Sequence, residues 1–433
     1  MKKPITNTLT NKVNHMSFSN NVEVSYNTEQ KLTLNKHDKT WIISLFGTAV
    51  GAGILFLPIN IGVNGFWPLI TIALLAGPMT FLAHRGLARF ILSSNSSKAE
   101  FTDVAEEHFG HRFGFLISLL YFLSIFPILM IYGVGLTNTV ESFMVNQMGM
   151  ATPSRVLLSG VLVALLIGVM TAGEKTVLRA FEVIVYPLVF ILFGISLYMI
   201  PNWQMPNFAE MPDAKTFTQT LWLAIPTTIF AFSHTAAISS FSVAQKRHYG
   251  EHAGKRVDFI LKHTSMMLIT FVLFFVFSCA LSLTPAQLAE AKAQNISILS
   301  YLANVTGSGL IASFGPFIAC IAIISSFFGH FLGGRESLSG IIAKHTNLKP
   351  KVVNKLTIGI LFFSVWYAAV KNPSVLGIME TFSGPVIALI LFILPMYAIR
   401  NVESMKKYRG KISNIFVTVI GLIAISAILY NII

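Results

Sequence analysis

From Trp41 to Ile61 the chain carries no charged residue, a run long enough to cross a bilayer, yet glycines stand at its middle: Gly47, Gly51 and Gly53, within Gly47-Thr48-Ala49-Val50-Gly51-Ala52-Gly53-Ile54-Leu55-Phe56-Leu57-Pro58. In hydrocarbon every backbone N–H and C=O must find a partner, so a helix normally crosses unbroken. Small residues halfway across have two readings. The helix packs very closely against a neighbour there, or it opens and exposes backbone groups that hold an ion or a small zwitterion.

The rest of the chain extends this constraint. Apolar residues make up 54% and charged residues 11%, against about 25% charged in a soluble domain. That describes a polytopic all-α membrane protein. We read eleven spans, near 41–62, 68–92, 115–145, 155–171, 180–200, 218–241, 263–283, 309–332, 356–370, 374–399 and 414–432. Pro78, Pro187 and Pro385 fall inside the second, fifth and tenth, where neighbouring helices re-satisfy the freed carbonyls. Residues 1–39 are rich in Asn, Thr, Ser and Lys and read as a disordered cytoplasmic tail with no apolar signal segment; 40–433 form the membrane domain. Cys279 and Cys320 lie in apolar runs and read as small core residues.

A net charge of +13 invites a nucleic-acid reading, but its placement opposes it. Assigned to alternate sides of the eleven spans, all the Lys and Arg residues but Arg155, Lys215, Lys292 and Lys371 fall on one side. The positive-inside rule puts that side, and the N-terminus, in the cytoplasm, and the C-terminus in the periplasm.

A second span looks interrupted. In the sixth, Phe230-Ala231-Phe232-Ser233-His234-Thr235 gathers polar residues inside an apolar run. The two interrupted spans are five apart, so a second five-helix unit would be inverted relative to the first: about 40–200 and 215–400, followed by an extra helix at about 414–432. Broken helices at matching positions of inverted halves mark a transporter's central site.

Gly47–Pro58, Phe230–Phe241, Ser326-Phe327-Phe328-Gly329-His330-Phe331-Leu332-Gly333 and Met379-Glu380-Thr381-Phe382-Ser383-Gly384-Pro385 together resemble the bacterial hydroxy/aromatic amino acid permease family, in particular its serine/threonine branch, over about residues 38–430. The resemblance implies the five-plus-five inverted-repeat fold of the leucine-transporter type with one extra helix, and amino acid uptake across the inner membrane, usually with protons. One departure stands out. The serine branch tends to carry Asn at the position of Ser233 and Ser-Pro at Thr235-Ala236.

On this reading the substrate site consists of Thr48, Val50, Gly51, Ala52 and Gly53 from the first span and Phe230, Phe232, Ser233, His234 and Thr235 from the sixth. N–H groups beginning the second half-helix suit a carboxylate, and carbonyls ending the first halves suit an ammonium group. Coupling candidates are Glu380, an acid inside a span; His234, a proton relay or a structural ring; and Ser325 and Ser326, which would complete a sodium site or simply bond back to the preceding turn. Glu380 also has a plain reading as the partner of Lys371. His330, and the group His84, Arg85 and Arg89, are expected near the cytoplasmic ends of their helices, and Glu141 and Glu182 near membrane surfaces. No metal-ligand spacing or nucleotide loop appears, so no cofactor is expected beyond a coupling proton or, alternatively, sodium. The remaining alternatives are an aromatic, cysteine or D-serine carrier of the same fold, a channel, or a membrane-embedded enzyme. The bilayer and a small amino acid are the only partners the sequence points to, and it sets no oligomeric state.

Overall fold

The computed structural model describes residues 33–63, 65–171, 174–205 and 211–431, without the side chains of 174–182, 184, 430 and 431. The expected tail therefore lies outside the described residues up to 32, as does the side chain of Glu182.

The first helix starts inside the stretch expected to be tail. In α1 (Lys36–Ala49), Asn35 accepts from the Asp38 N–H at 2.9 Å while Asp38 accepts from the Asn35 N–H at 3.0 Å. This reciprocal capping box satisfies two donors that would otherwise be orphaned. Asp38 then pairs with Arg256, whose Nε approaches at 3.0 Å, and accepts from the Tyr249 hydroxyl at 2.8 Å. A local start signal thus becomes a tertiary anchor.

α1 gives way to α2 (Ala52–Gly62) through Val50 and Gly51, with a bend of 54°. Then come α3 (Phe66–Leu92), α4 (Phe101–Ser142, kinked at Gly110 where φ is 76°), α5 (Arg155–Thr171) and α6 (Glu174–Tyr198). The second half opens with α7 (Ala214–Ala231), broken at Phe232–His234 before α8 (Thr235–Tyr249), then α9 (Ala253–Leu281). Two short helices, α10 (Pro285–Gln294) and α11 (Ile298–Val305), lead to α12 (Gly309–His345) and α13 (Pro350–Lys371). The tenth predicted span is one rod, α14 (Val375–Ile378), α15 (Gly384–Ala388) and α16 (Leu394–Asn401), joined by π-turns at Met379–Ser383 and Leu389–Ile393; α17 (Ile412–Ser426) ends the fold.

Every predicted span coincides with a helix or a broken pair. By length and apolarity, eight helices among the described residues qualify as crossings, or nine with the bent α1–α2 pair; α5 is shorter. Large apolar side chains such as Leu74, Leu157 and Phe190 stand exposed on the outside, as a lipid-facing surface requires. Among the described residues there is no strand.

α12 threads the centre, and its glycines let the broken helices approach. A Cβ on Gly329 would lie 2.6 Å from the Thr48 hydroxyl, and one on Gly333 would lie 2.7 Å from the Ala236 carbonyl. Contact that close between helices is the use of small residues in membranes. Cys279 is buried and Cys320 half-buried, and both are free thiols.

Candidate functional site

The break in the first span both packs closely and opens. Gly51 has φ −154°, an extended conformation open to any residue, so space rather than backbone strain demands glycine here. A Cβ on Gly51 would fall 2.4 Å from Ser326 Cβ and 3.1 Å from the Tyr132 hydroxyl. On Gly53 it would fall 2.6 Å from the Ala231 Cα, which ends α7, and 2.8 Å from the Phe230 ring. The two broken spans therefore touch backbone to backbone at their breaks. The first N–H groups of α2 and the last carbonyls of α1 lack partners within their own helices.

Ser326 closes one side. Its hydroxyl donates to the Thr48 carbonyl at 2.6 Å, and that commits its single hydrogen, so the Tyr132 hydroxyl 2.7 Å away is the donor to it. Ser325 makes the ordinary back-bond, to Ala322 O at 3.0 Å. The Thr48 hydroxyl likewise donates back to Ser44 O. In the second break, Ser233 and Thr235 share a hydrogen bond of 2.7 Å and are buried, as are Phe230, Phe232 and His234.

Two histidines expected near helix ends are instead part of this centre. His84 of α3 is buried, and its Nδ1–H donates to Thr80 O at 2.7 Å. Its Nε2 is left as an acceptor and takes the His234 backbone N–H at 3.1 Å. The two imidazoles stack at 3.5 Å with planes 6° apart. His84 thus supplies the acceptor that the missing helical carbonyl would have supplied. His330 is also buried, donating to Ser326 O at 2.9 Å with its ring 5.4 Å from Tyr132. Their positions at the ends of apolar runs suggested headgroup anchors; the helices continue past them, to Leu92 and His345.

The half-helices divide the space around the breaks. α1, α8 and α12 enclose a cavity of about 880 Å³ that includes Thr48, Ala236, Gly329, Glu336 and Arg247 and faces the side rich in Lys and Arg. α2 and α7 border a smaller one of about 260 Å³ on the opposite side, with Asn60, Thr220, Ala224, Lys292 and Glu380. There Glu380 accepts from Asn60 Nδ2 at 2.5 Å and pairs with Lys292 at 3.4 Å; the partner suggested by sequence, Lys371, lies over the Tyr367 ring instead. Lys292 sits on α10, so this contact ties a connecting helix to both the first and tenth spans. Glu141, at the C-terminal end of α4, pairs with Arg155 at 2.7 Å.

Paired broken helices around a central cavity are the arrangement of multi-pass membrane transporters. The chain belongs to the tryptophan/tyrosine permease family, whose profile matches residues 39–431. It is 49% identical over 407 residues to "Serine transporter SdaC" of Escherichia coli K12, covering 92% of this chain and 95% of that one, and 48% identical over the same length to the protein of that name in Shigella flexneri. Its fold matches the crystal structure of MhsT in complex with L-phenylalanine, a leucine-transporter-type protein, with a TM-score of 0.62 and 14% identity over 93% of this chain and 98% of that one. The protein is accordingly a membrane-embedded amino acid transporter.

Proposed function

We propose that the protein imports a small polar amino acid of the serine/threonine class across the bacterial inner membrane by proton symport, alternating access around the two broken spans. The observation that carries this reading is the 880 Å³ cavity, which runs from Thr48 at the first break to the basic face while the opposite side is narrow and latched. Eleven crossings, with that basic face in the cytoplasm and the C-terminus in the periplasm, make this an inward-open arrangement. The substrate's carboxylate would meet the N–H groups at Gly51–Gly53, and its ammonium group the carbonyls ending α1 and α7. Val50, Ala52, Phe230 and Phe232 would shape the apolar wall. Thr48, Ser233 and Thr235 would exchange hydrogen bonds with a side-chain hydroxyl. Similarity to relatives named serine transporters supports the same choice.

Uptake of labelled amino acids into proteoliposomes, under imposed proton or sodium gradients, tests it. Serine or threonine should compete about tenfold or more better than leucine or tryptophan, because a buried hydroxyl pocket left unpaired penalises apolar competitors. Tryptophan as the best competitor would move the chain to an aromatic carrier. An absolute sodium requirement would replace the proton reading and turn attention to Ser325, Ser326 and the Thr48 carbonyl.

Glu380, with Asn60 and Lys292, is the proposed outer latch. Glu380→Gln and Lys292→Gln should each favour the outward-open state by about 1 kcal/mol, roughly fivefold in population. A cysteine introduced at Ala224 should then react faster with an impermeant thiol reagent added outside. Unchanged labelling in both variants would remove the latch.

A further inference from the structure

The basic-face cavity carries two acids that the substrate site does not use. Glu336 stands half-buried in its wall on α12, and Glu100, at its mouth, caps the start of α4. Both acids line this one cavity, and a single hydroxyl, that of Ser239, bonds both Glu336 and the backbone N–H directly after Glu100. Two ionised carboxylates in one cavity wall repel each other, and one proton held between them removes that repulsion.

The surroundings tie that proton to a moving part. Ser239 on α8 donates to Glu336 Oε1 at 3.1 Å and accepts from the Phe101 N–H, the residue after Glu100, also at 3.1 Å. One hydroxyl therefore joins half-helix α8 to both α4 and α12. Displacing α8 breaks both bonds together and changes how the pair meets water. An independent sign that the arrangement is built to hold something is Tyr121. Its ring stacks on Phe101, the residue after Glu100, at 4.0 Å, and its fully buried hydroxyl has no hydrogen-bond partner. The other charged groups facing the pair are Asp103 on α4, Arg247 on α8, and Arg335 and Lys344 on α12. Glu100 itself is held above the ordinary carboxylate range, first by its partial removal from water and then by Asp103.

We propose that Glu336 and Glu100 hold one proton between them and form the inner proton site of the transport cycle, releasing it to the basic-face solution when α8 moves. Thr48 lines the same cavity, so proton and substrate would leave by one route. With the proton gone, two negative charges confront Arg247 on α8, so the charge state of the pair pulls on the same half-helix that Ser239 tethers. This assignment rests on the proton-symport reading.

The test compares wild type with Glu336→Gln and Glu100→Gln, both reconstituted, with folding checked by size-exclusion behaviour. Infrared difference spectra between about pH 6 and about pH 8 should show a protonated-carboxyl band in wild type that shrinks in each variant. Accumulation driven by an acid-outside gradient should fall by about tenfold or more in each, and exchange of internal for external serine by far less, because exchange need not release the proton. If wild type accumulates substrate with protons and both Gln variants accumulate it equally well, the pair is not the site and the symport reading survives. If wild type ignores the pH gradient and needs sodium, the symport reading falls and the pair's role with it. Should Glu336→Gln fail to fold, Glu100→Gln decides alone.

Discussion

Gly51→Val and Gly53→Val are expected to abolish uptake, by about a hundredfold or more, with protein still reaching the membrane. The cause is contact, since the Gly51 backbone itself is open to any residue. At Gly51 the first added carbon already meets Ser326 Cβ at 2.4 Å, so α12 must retreat and the bond from Ser326 to the Thr48 carbonyl is lost. At Gly53 it meets the Ala231 Cα at 2.6 Å, and no rotamer moves a backbone atom. Gly51→Ala and Gly53→Ala should both be costly, because a Ser326 Cβ, like the Ala231 Cα, moves only with its backbone. Gly194→Val on α6, where a Cβ meets nothing within 4 Å, should transport like wild type. Normal uptake in Gly53→Val would mean that the breaks of α2 and α7 need not touch.

The stretch from Gly47 to Gly53 was readable as either close packing or an opened helix, and α1 and α2 do both at once. What made the breaks legible is local: small or polar residues inside an apolar run have few other uses in a membrane. The start of α1 was locally legible too, since Asn35 and Asp38 have capping-box spacing, but the polar composition around them concealed it. The partners of the breaks were not legible. Tyr132 and Ser326 meet across 194 residues of chain, Asn60 and Glu380 across 320, and His84 and His234 across 150. No periodicity within one helix announces such meetings; they follow from how whole helices cross. Glu336 was hidden in another way. Next to Arg335 and near the end of an apolar run it has the sequence setting of an interfacial charge, and only the cavity beside α8 sets it beside a second acid, Glu100.

His84→Leu should raise the KM for substrate about tenfold or more and lower kcat less, because the cost falls on the shape of the second break. The His234 N–H is buried and loses its acceptor, a penalty of about 1–3 kcal/mol. The break can recover that bond only by re-forming helix or by turning His234, and either change moves Ser233 and Thr235, which share their own 2.7 Å bond one residue to each side. Two further variants separate the acceptor from the ring. His84→Gln keeps an acceptor near the position of Nε2 and should restore most of the affinity. His84→Phe keeps the 3.5 Å stack on His234 but has no acceptor, and should resemble His84→Leu. If Phe instead restores transport as well as Gln does, His84 serves the site by filling space, and the hydrogen bond to the break contributes little to substrate binding.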